Sequence, residues 1–152
     1  MRERLWWRRV AWILMTCALA VAAASSAPAM AAGDAAEPDW RAIRNAIGGQ
    51  LTALRAGDAS RAFSHAASGI RAQFGDAPTF MRMVRNGYAA LLDARYTEFL
   101  EGAVIDGHTI QPLRLVMTDD TVLVALYELQ QDENGEWRIA GCVIAPSTVK
   151  ST

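Results

Sequence analysis

The feature that most constrains this chain is a change of hydrophobic period near Tyr88. Before it, apolar residues return every three or four positions; after it, they alternate. Helices gathered ahead of strands in a short chain predict an α+β fold. Its N-terminal helices would lie on one face of a curved antiparallel sheet of about four strands. A length of 152 residues leaves room for a single core of that kind.

The helical half has clear punctuation. Trp40, Ile43, Ile47, Leu51 and Leu54 keep helical spacing, with Asp39 placed to cap the start and Gly57 the end. Gly48-Gly49 falls inside this stretch, so either the helix bends there or another element packs very close, with a ligand's approach as the lesser alternative. Asp58 opens a second helix that turns Ala59, Ala62, Phe63 and Ala66 inward, and Ser68 can cap a further turn ending at Gly75. Asp76-Ala77-Pro78 starts a third helix through Phe80, Met83 and Val84, closed by Gly87.

The second half reads as four strands. Tyr96 to Ile105 is the first, turned by Asp106-Gly107, and His108 to Met117 is the second. Thr121 to Gln130 and Trp137 to Ala145 follow, joined by a hairpin at Asn134-Gly135.

The N-terminus carries a different message. Arg2, Arg4, Arg8 and Arg9 precede an apolar run from Val10 to Ala24, and small residues follow. That order is the pattern of a secretory signal peptide over residues 1–31, cleaved after Ala31 or, alternatively, after Ala29. The run is about fifteen residues, short of the roughly twenty that span a bilayer. An uncleaved membrane anchor is therefore the runner-up, and membrane contact is expected only in transit. The Arg8-Arg9 pair leaves Sec and twin-arginine export both open. The expected organisation is signal peptide 1–31, leader 32–38, one domain over 39–145 and a polar tail 146–152, in a periplasmic or secreted protein.

Cleavage alters the charge. The full chain has 15 basic and 16 acidic residues, and removing residues 1–31 leaves 11 against 15, a net charge of −4. Such a balance speaks against a nucleic-acid binder. Of two cysteines, Cys17 leaves with the leader, so Cys142 has no intramolecular disulfide partner.

Familiar catalytic signatures are missing: no Gly-x-Ser-x-Gly elbow, phosphate-binding glycine loop, His-Glu-x-x-His or Cys-x-x-Cys occurs. The two histidines, His65 and His108, lie far apart without a carboxylate at ligand spacing, so no metal and no cofactor is expected.

Several strings nevertheless occur in a familiar order. Phe63, Ala66, Ser68, Ile70, Phe74-Gly75, Phe80, Met83-Val84 and Tyr88 come first. Val124, Tyr127, Gly135 and Trp137-Arg138-Ile139-Ala140-Gly141-Cys142 come later. Together they resemble the secreted bacterial family named domain of unknown function 4864, over roughly Asp39 to Ala145. Gly69 departs from the pattern, where a proline is expected after the serine. The resemblance implies a nuclear-transport-factor-2-like, cystatin-like cone, with helices closing one end of a curved sheet around a pocket. It implies no reaction.

Enzymes that resemble this superfamily use a pocket carboxylate or histidine as base with a tyrosine or acid as donor. The material here would be Glu98, His65 or Tyr88, with Arg71, Tyr96, Arg114 and Tyr127 as pocket residues and His108 in reserve. Each has a plainer reading. Glu98 could face water or pair with Arg95 or Arg114, and His65 could be a solvated helix-surface residue. Arg71 could be an ordinary surface arginine, and Tyr127 and Trp137 sheet-packing aromatics. Cys142 reads as a small buried apolar residue, and Met81 and Met83 as core fillers. The leading expectation is a non-enzymatic binding or accessory module, taking a small apolar ligand or a protein partner. A cofactor-independent acid–base enzyme and a homodimer joined through its sheet faces are the alternatives.

Overall fold

A computed structural model describes residues 36–147. The expected signal peptide, the Ala31 cleavage position, most of the 32–38 leader and most of the 146–152 tail lie outside the described residues.

Five helices precede five strands. The helices are α1 (Trp40–Arg55), α2 (Ala59–Ser64), α3 (Ser68–Phe74), α4 (Ala77–Gly87) and α5 (Ala89–Asp93). The strands are β1 (Tyr96–Phe99), β2 (Ala103–Ile105), β3 (His108–Val116), β4 (Val122–Gln131) and β5 (Trp137–Pro146). All pair antiparallel in one sheet of order β1-β3-β4-β5, with β2 beside β1 along the same edge of β3.

Short polar side chains set most helix starts. Asp39 accepts from the amides of Arg41 and Ala42 at 3.1 and 3.0 Å, Asp58 from that of Arg61 at 3.0 Å, and Asp76 from that of Thr79 at 2.7 Å. Ser68 does not cap α3: it is the first helical residue, and Ala67 holds the cap position without a side-chain bond. Two other expectations change. Helix α2 stops at Ser64, because the next residues run beside β5, where Ile139 donates to the His65 carbonyl and accepts from the Ala67 amide. The stretch after Tyr88, read as the start of the alternating half, makes one further short helix, α5, whose Leu91 is buried.

The first expected strand, Tyr96 to Ile105, is broken into β1 and β2, which makes five strands rather than four. Pro112, in the middle of β3, is the cause. Its carbonyl accepts from the Leu100 amide, so its backbone faces this edge, and proline has no N–H to return. The Gln111 side chain supplies the missing donor, with Nε2 2.7 Å from the Leu100 carbonyl oxygen. Gly102 then passes so close to the Trp40 ring that a Cβ there would lie 2.3 Å from it.

Two apolar clusters hold the molecule together. One joins Ile43, Ile47 and Leu51 of α1 to Leu113, Leu115, Tyr127 and Ile139 on the inner face of the sheet. The other joins Leu54, Ala62, Phe80, Met81 and Val84 among the helices. Alternation along β3 and β4 leaves Ile110, Arg114, Val124, Leu126 and Glu128 on the opposite, outer face.

Candidate functional site

The two clusters do not close completely against each other. A cavity of about 230 Å³ lies along their seam. Helix α1 contributes Gln50 and Leu54, α3 contributes Ile70, Gln73 and Phe74, and α4 contributes Phe80, Met83 and Val84. Tyr88, Leu91, Tyr127 and the β5 stretch Ile139–Cys142 complete the wall. No acidic, basic or histidine side chain belongs to it. Gln73 is exposed while Tyr127 is fully buried, so the cavity runs inward from α3 to the sheet.

Four polar side chains, Gln50, Gln73, Tyr88 and Tyr127, line this mostly apolar space. Tyr88 sits between α4 and α5 and donates its hydroxyl to the Cys142 carbonyl at 3.0 Å, which ties the helices to β5. Gln50 is buried and spends one amide hydrogen on the Ala62 carbonyl at 3.3 Å. Tyr127 is 0% exposed, and among the described residues its hydroxyl finds no nitrogen or oxygen partner and meets the Cys142 thiol instead. Its cross-strand neighbour is Cys142, whose thiol is a weak partner. Burial, followed by the proximity of Cys142, pushes the Tyr127 phenol well above its ordinary range. Burial likewise pushes the Cys142 thiol up to about 12, so it stays protonated and unreactive near neutrality.

Of the catalytic and pocket candidates chosen from sequence, the structure places Tyr88 and Tyr127 in the wall of this cavity, beside Met83 and Cys142. Glu98 lies on the outer sheet face, opposite Arg114 in the β1–β3 register and paired with it at 2.6 Å. Tyr96 shares that face and is 56% exposed. His108 bonds Glu128 at 2.5 Å, again on the outer face. Glu98, Tyr96 and Arg114 thus belong to the far side of the sheet from Tyr88 and Tyr127.

Arg71 is exposed and borders a separate polar depression beside the β4–β5 turn. Arg138 dominates that depression: it pairs with Asp132 at 2.9 Å and with Glu136, and donates to the Ser64 carbonyl at 3.2 Å. The bond from Arg138 holds the Asp132 carboxyl below its ordinary range.

His65 is half-buried. Its ring packs against Gly49, where a Cβ would lie 2.7 Å from Cε1, and this contact accounts for one glycine of the Gly48-Gly49 pair. Burial, and secondarily Arg138 and Arg61, lowers its pKa. Among the described residues no group of three or more histidine, cysteine or carboxylate side chains could hold a metal ion.

Reading the sequence missed Gln50, although the signal was present. Gln50 falls between Ile47 and Leu54 at spacings of three and four, a polar residue on the apolar stripe of α1.

Helices against one face of an antiparallel sheet, with a mostly apolar, partly open pocket among them, define an α+β domain. The family profile described as domain of unknown function (DUF4864) matches residues 36–152, and the chain belongs to that family. Comparison with curated proteins and with solved structures gives no match.

Proposed function

We propose that this protein is an exported, non-enzymatic binding module that takes a small apolar molecule into the cavity between α3, α4 and β5. The observation that carries this reading is an uncharged cavity of about 230 Å³ lined mainly by apolar side chains. A cavity of about 150 Å³ accommodates benzene, so this one suits a ligand of roughly nine or ten non-hydrogen atoms. Helices closing over a sheet around such a space also match what a nuclear-transport-factor-2-like resemblance implies. An acid–base enzyme has less support, because Glu98 is paired outside the cavity and His65 is not among its walls. Export rests on the signal-peptide pattern of residues 1–31.

The experiment uses protein recovered from the periplasm, with an intact mass beginning at Ala32. Titration with indane, followed by amide NMR, is expected to shift resonances of α3, α4 and β5. Met83→Trp, which fills the cavity, is expected to abolish those shifts. Saturating indane without any shift at these elements would refute the binding reading; a full-length mass in the membrane fraction would refute export.

A second reading rests on the outer sheet face. Tyr96, Ile105, Leu126 and Val143 are exposed there, and Leu126 and Val143 are direct cross-strand partners. The polar groups of this face pair with each other, Glu98 with Arg114 and His108 with Glu128. An apolar face whose polar groups are paired among themselves suits a second copy of this chain. Light scattering is expected to give a dimer mass that Val143→Arg reduces to a monomer. A monomer mass for the unaltered protein at both micromolar and millimolar concentration removes this reading.

A further inference from the structure

We infer that the cavity ligand is a neutral molecule that brings a hydrogen-bond donor, such as a small alcohol, and that the side-chain oxygen of Gln50 receives it. This rests on the binding reading above and adds the chemical class of the ligand and the group that anchors it.

A glutamine on the apolar stripe of a helix has two polar ends to satisfy once it is buried. Gln50 is 4% exposed and satisfies one of them. Its Nε2 donates to the Ala62 carbonyl at 3.3 Å. Because a carbonyl only accepts, that bond also fixes which end of the carboxamide is nitrogen. The oxygen is left as an acceptor without a partner among the described residues. It is not sealed, however. Among the described residues, the Tyr127 hydroxyl is the one buried, partnerless side-chain nitrogen or oxygen closed to anything the size of water. The Gln50 oxygen therefore keeps accessible surface, and Gln50 is part of the cavity wall.

The other polar groups of the wall are already served. The Tyr88 hydroxyl is committed to the Cys142 carbonyl, and that of Tyr127 is shut away against the Cys142 thiol. Gln73 is exposed at the mouth, where solvent reaches its carboxamide. Charge narrows the class further. The walls hold no carboxylate, so an ammonium donor would be desolvated there without a counter-charge; they hold no cation, so a carboxylate fares no better. A hydroxyl loses far less water on entry and gains an acceptor that the Ala62 bond holds in place.

Four achiral probes on one carbon frame separate these features: indane, 2-indanone, 2-indanol and 2-aminoindane, titrated calorimetrically into the full mature protein at pH 7. 2-Indanol is expected to bind about tenfold more tightly than indane, the scale of one net hydrogen bond in a dry site. 2-Indanone, which only accepts, should bind no better than indane, and 2-aminoindane, a cation at this pH, should not bind. Gln50→Met keeps the length of the side chain without its oxygen, and in that variant 2-indanol should bind no better than indane. In the parent protein, 2-indanol is expected to shift the side-chain carboxamide resonances of Gln50.

Equal affinities for indane and 2-indanol in the parent protein would overturn the inference while leaving the cavity reading intact. That comparison needs no variant. A preference for 2-indanone or 2-aminoindane would overturn it as well. So would Gln50 resonances that stay still with 2-indanol bound, or a 2-indanol preference that survives Gln50→Met. Absence of binding by all four probes would defeat the cavity reading and this inference together.

Discussion

His65 shows how one contact links sequence, packing and pH. The glycine pair in α1 is costly in a helix, and its two positions have different surroundings: nothing approaches Gly48, whereas the imidazole of His65 lies against Gly49. Burial and two nearby arginines lower the histidine's pKa from 6.5, so the folded protein binds that proton less readily than the unfolded chain. Stability should therefore be complete above pH 6.5 and fall as the pH drops from 6.5 through the lower folded value. Asp76, bonded by the Thr79 amide, and Asp132, bonded by Arg138, are shifted below 3.8, so their contribution disappears only in stronger acid. Urea unfolding across pH 5 to 8 is expected to show the first loss, and His65→Gln to flatten it without touching the acid limb. An unchanged profile in that variant would assign the loss to another group. The close packing was one of three outcomes legible in Gly48-Gly49; that a histidine causes it was not, because helical spacing placed His65 away from the apolar face of α2.

At the scale of elements, Pro112 and Gln111 divide one edge strand into two. A proline in a paired strand removes a donor, and here that donor would have faced Leu100. Gln111, fully buried, bonds both the Leu100 and the Pro112 carbonyls through Nε2 and accepts from Arg44 Nε at 3.3 Å. Gln111→Leu keeps the volume and removes these bonds. It is expected to cost about 1–3 kcal/mol in denaturant unfolding, the scale of carbonyls left without partners. Faster amide exchange should accompany it in β1 and β2. A loss under 0.5 kcal/mol would mean that the edge is held by Trp40 and Gly102 instead. Pro112 was a readable warning of the break. The substitute donor was not readable, because alternation tells only that Gln111 faces inward, and the inner face of a sheet is expected to be apolar.

For the whole molecule, the order of helices before strands was legible because period is a local property of sequence. The caps at Asp39, Asp58 and Asp76 were legible for the same reason. α5 was not: five residues are too few to display a period, and Ala89–Asp93 joins two longer patterns. The cavity was less accessible still. Its walls come from α1, α3, α4, the segment around Tyr88, and two strands, and no spacing rule relates Gln50 to Tyr127. The candidates chosen by residue type separated accordingly, Tyr88 and Tyr127 to the inner side and Glu98, Tyr96 and Arg114 to the outer.

The interrupted edge also governs how these molecules meet one another. An uninterrupted edge strand is a template on which a foreign strand can grow the sheet. Here β1 and β2 offer runs of four and three residues separated by a bend, too short for a lengthening ladder to take hold. The other edge is blunted near Ile139, whose N–H and C=O are both taken by the segment after α2, and Pro146 ends it without an N–H. A chain whose outer face is so apolar has in this way withheld the backbone groups that would turn contact between copies into fibril growth.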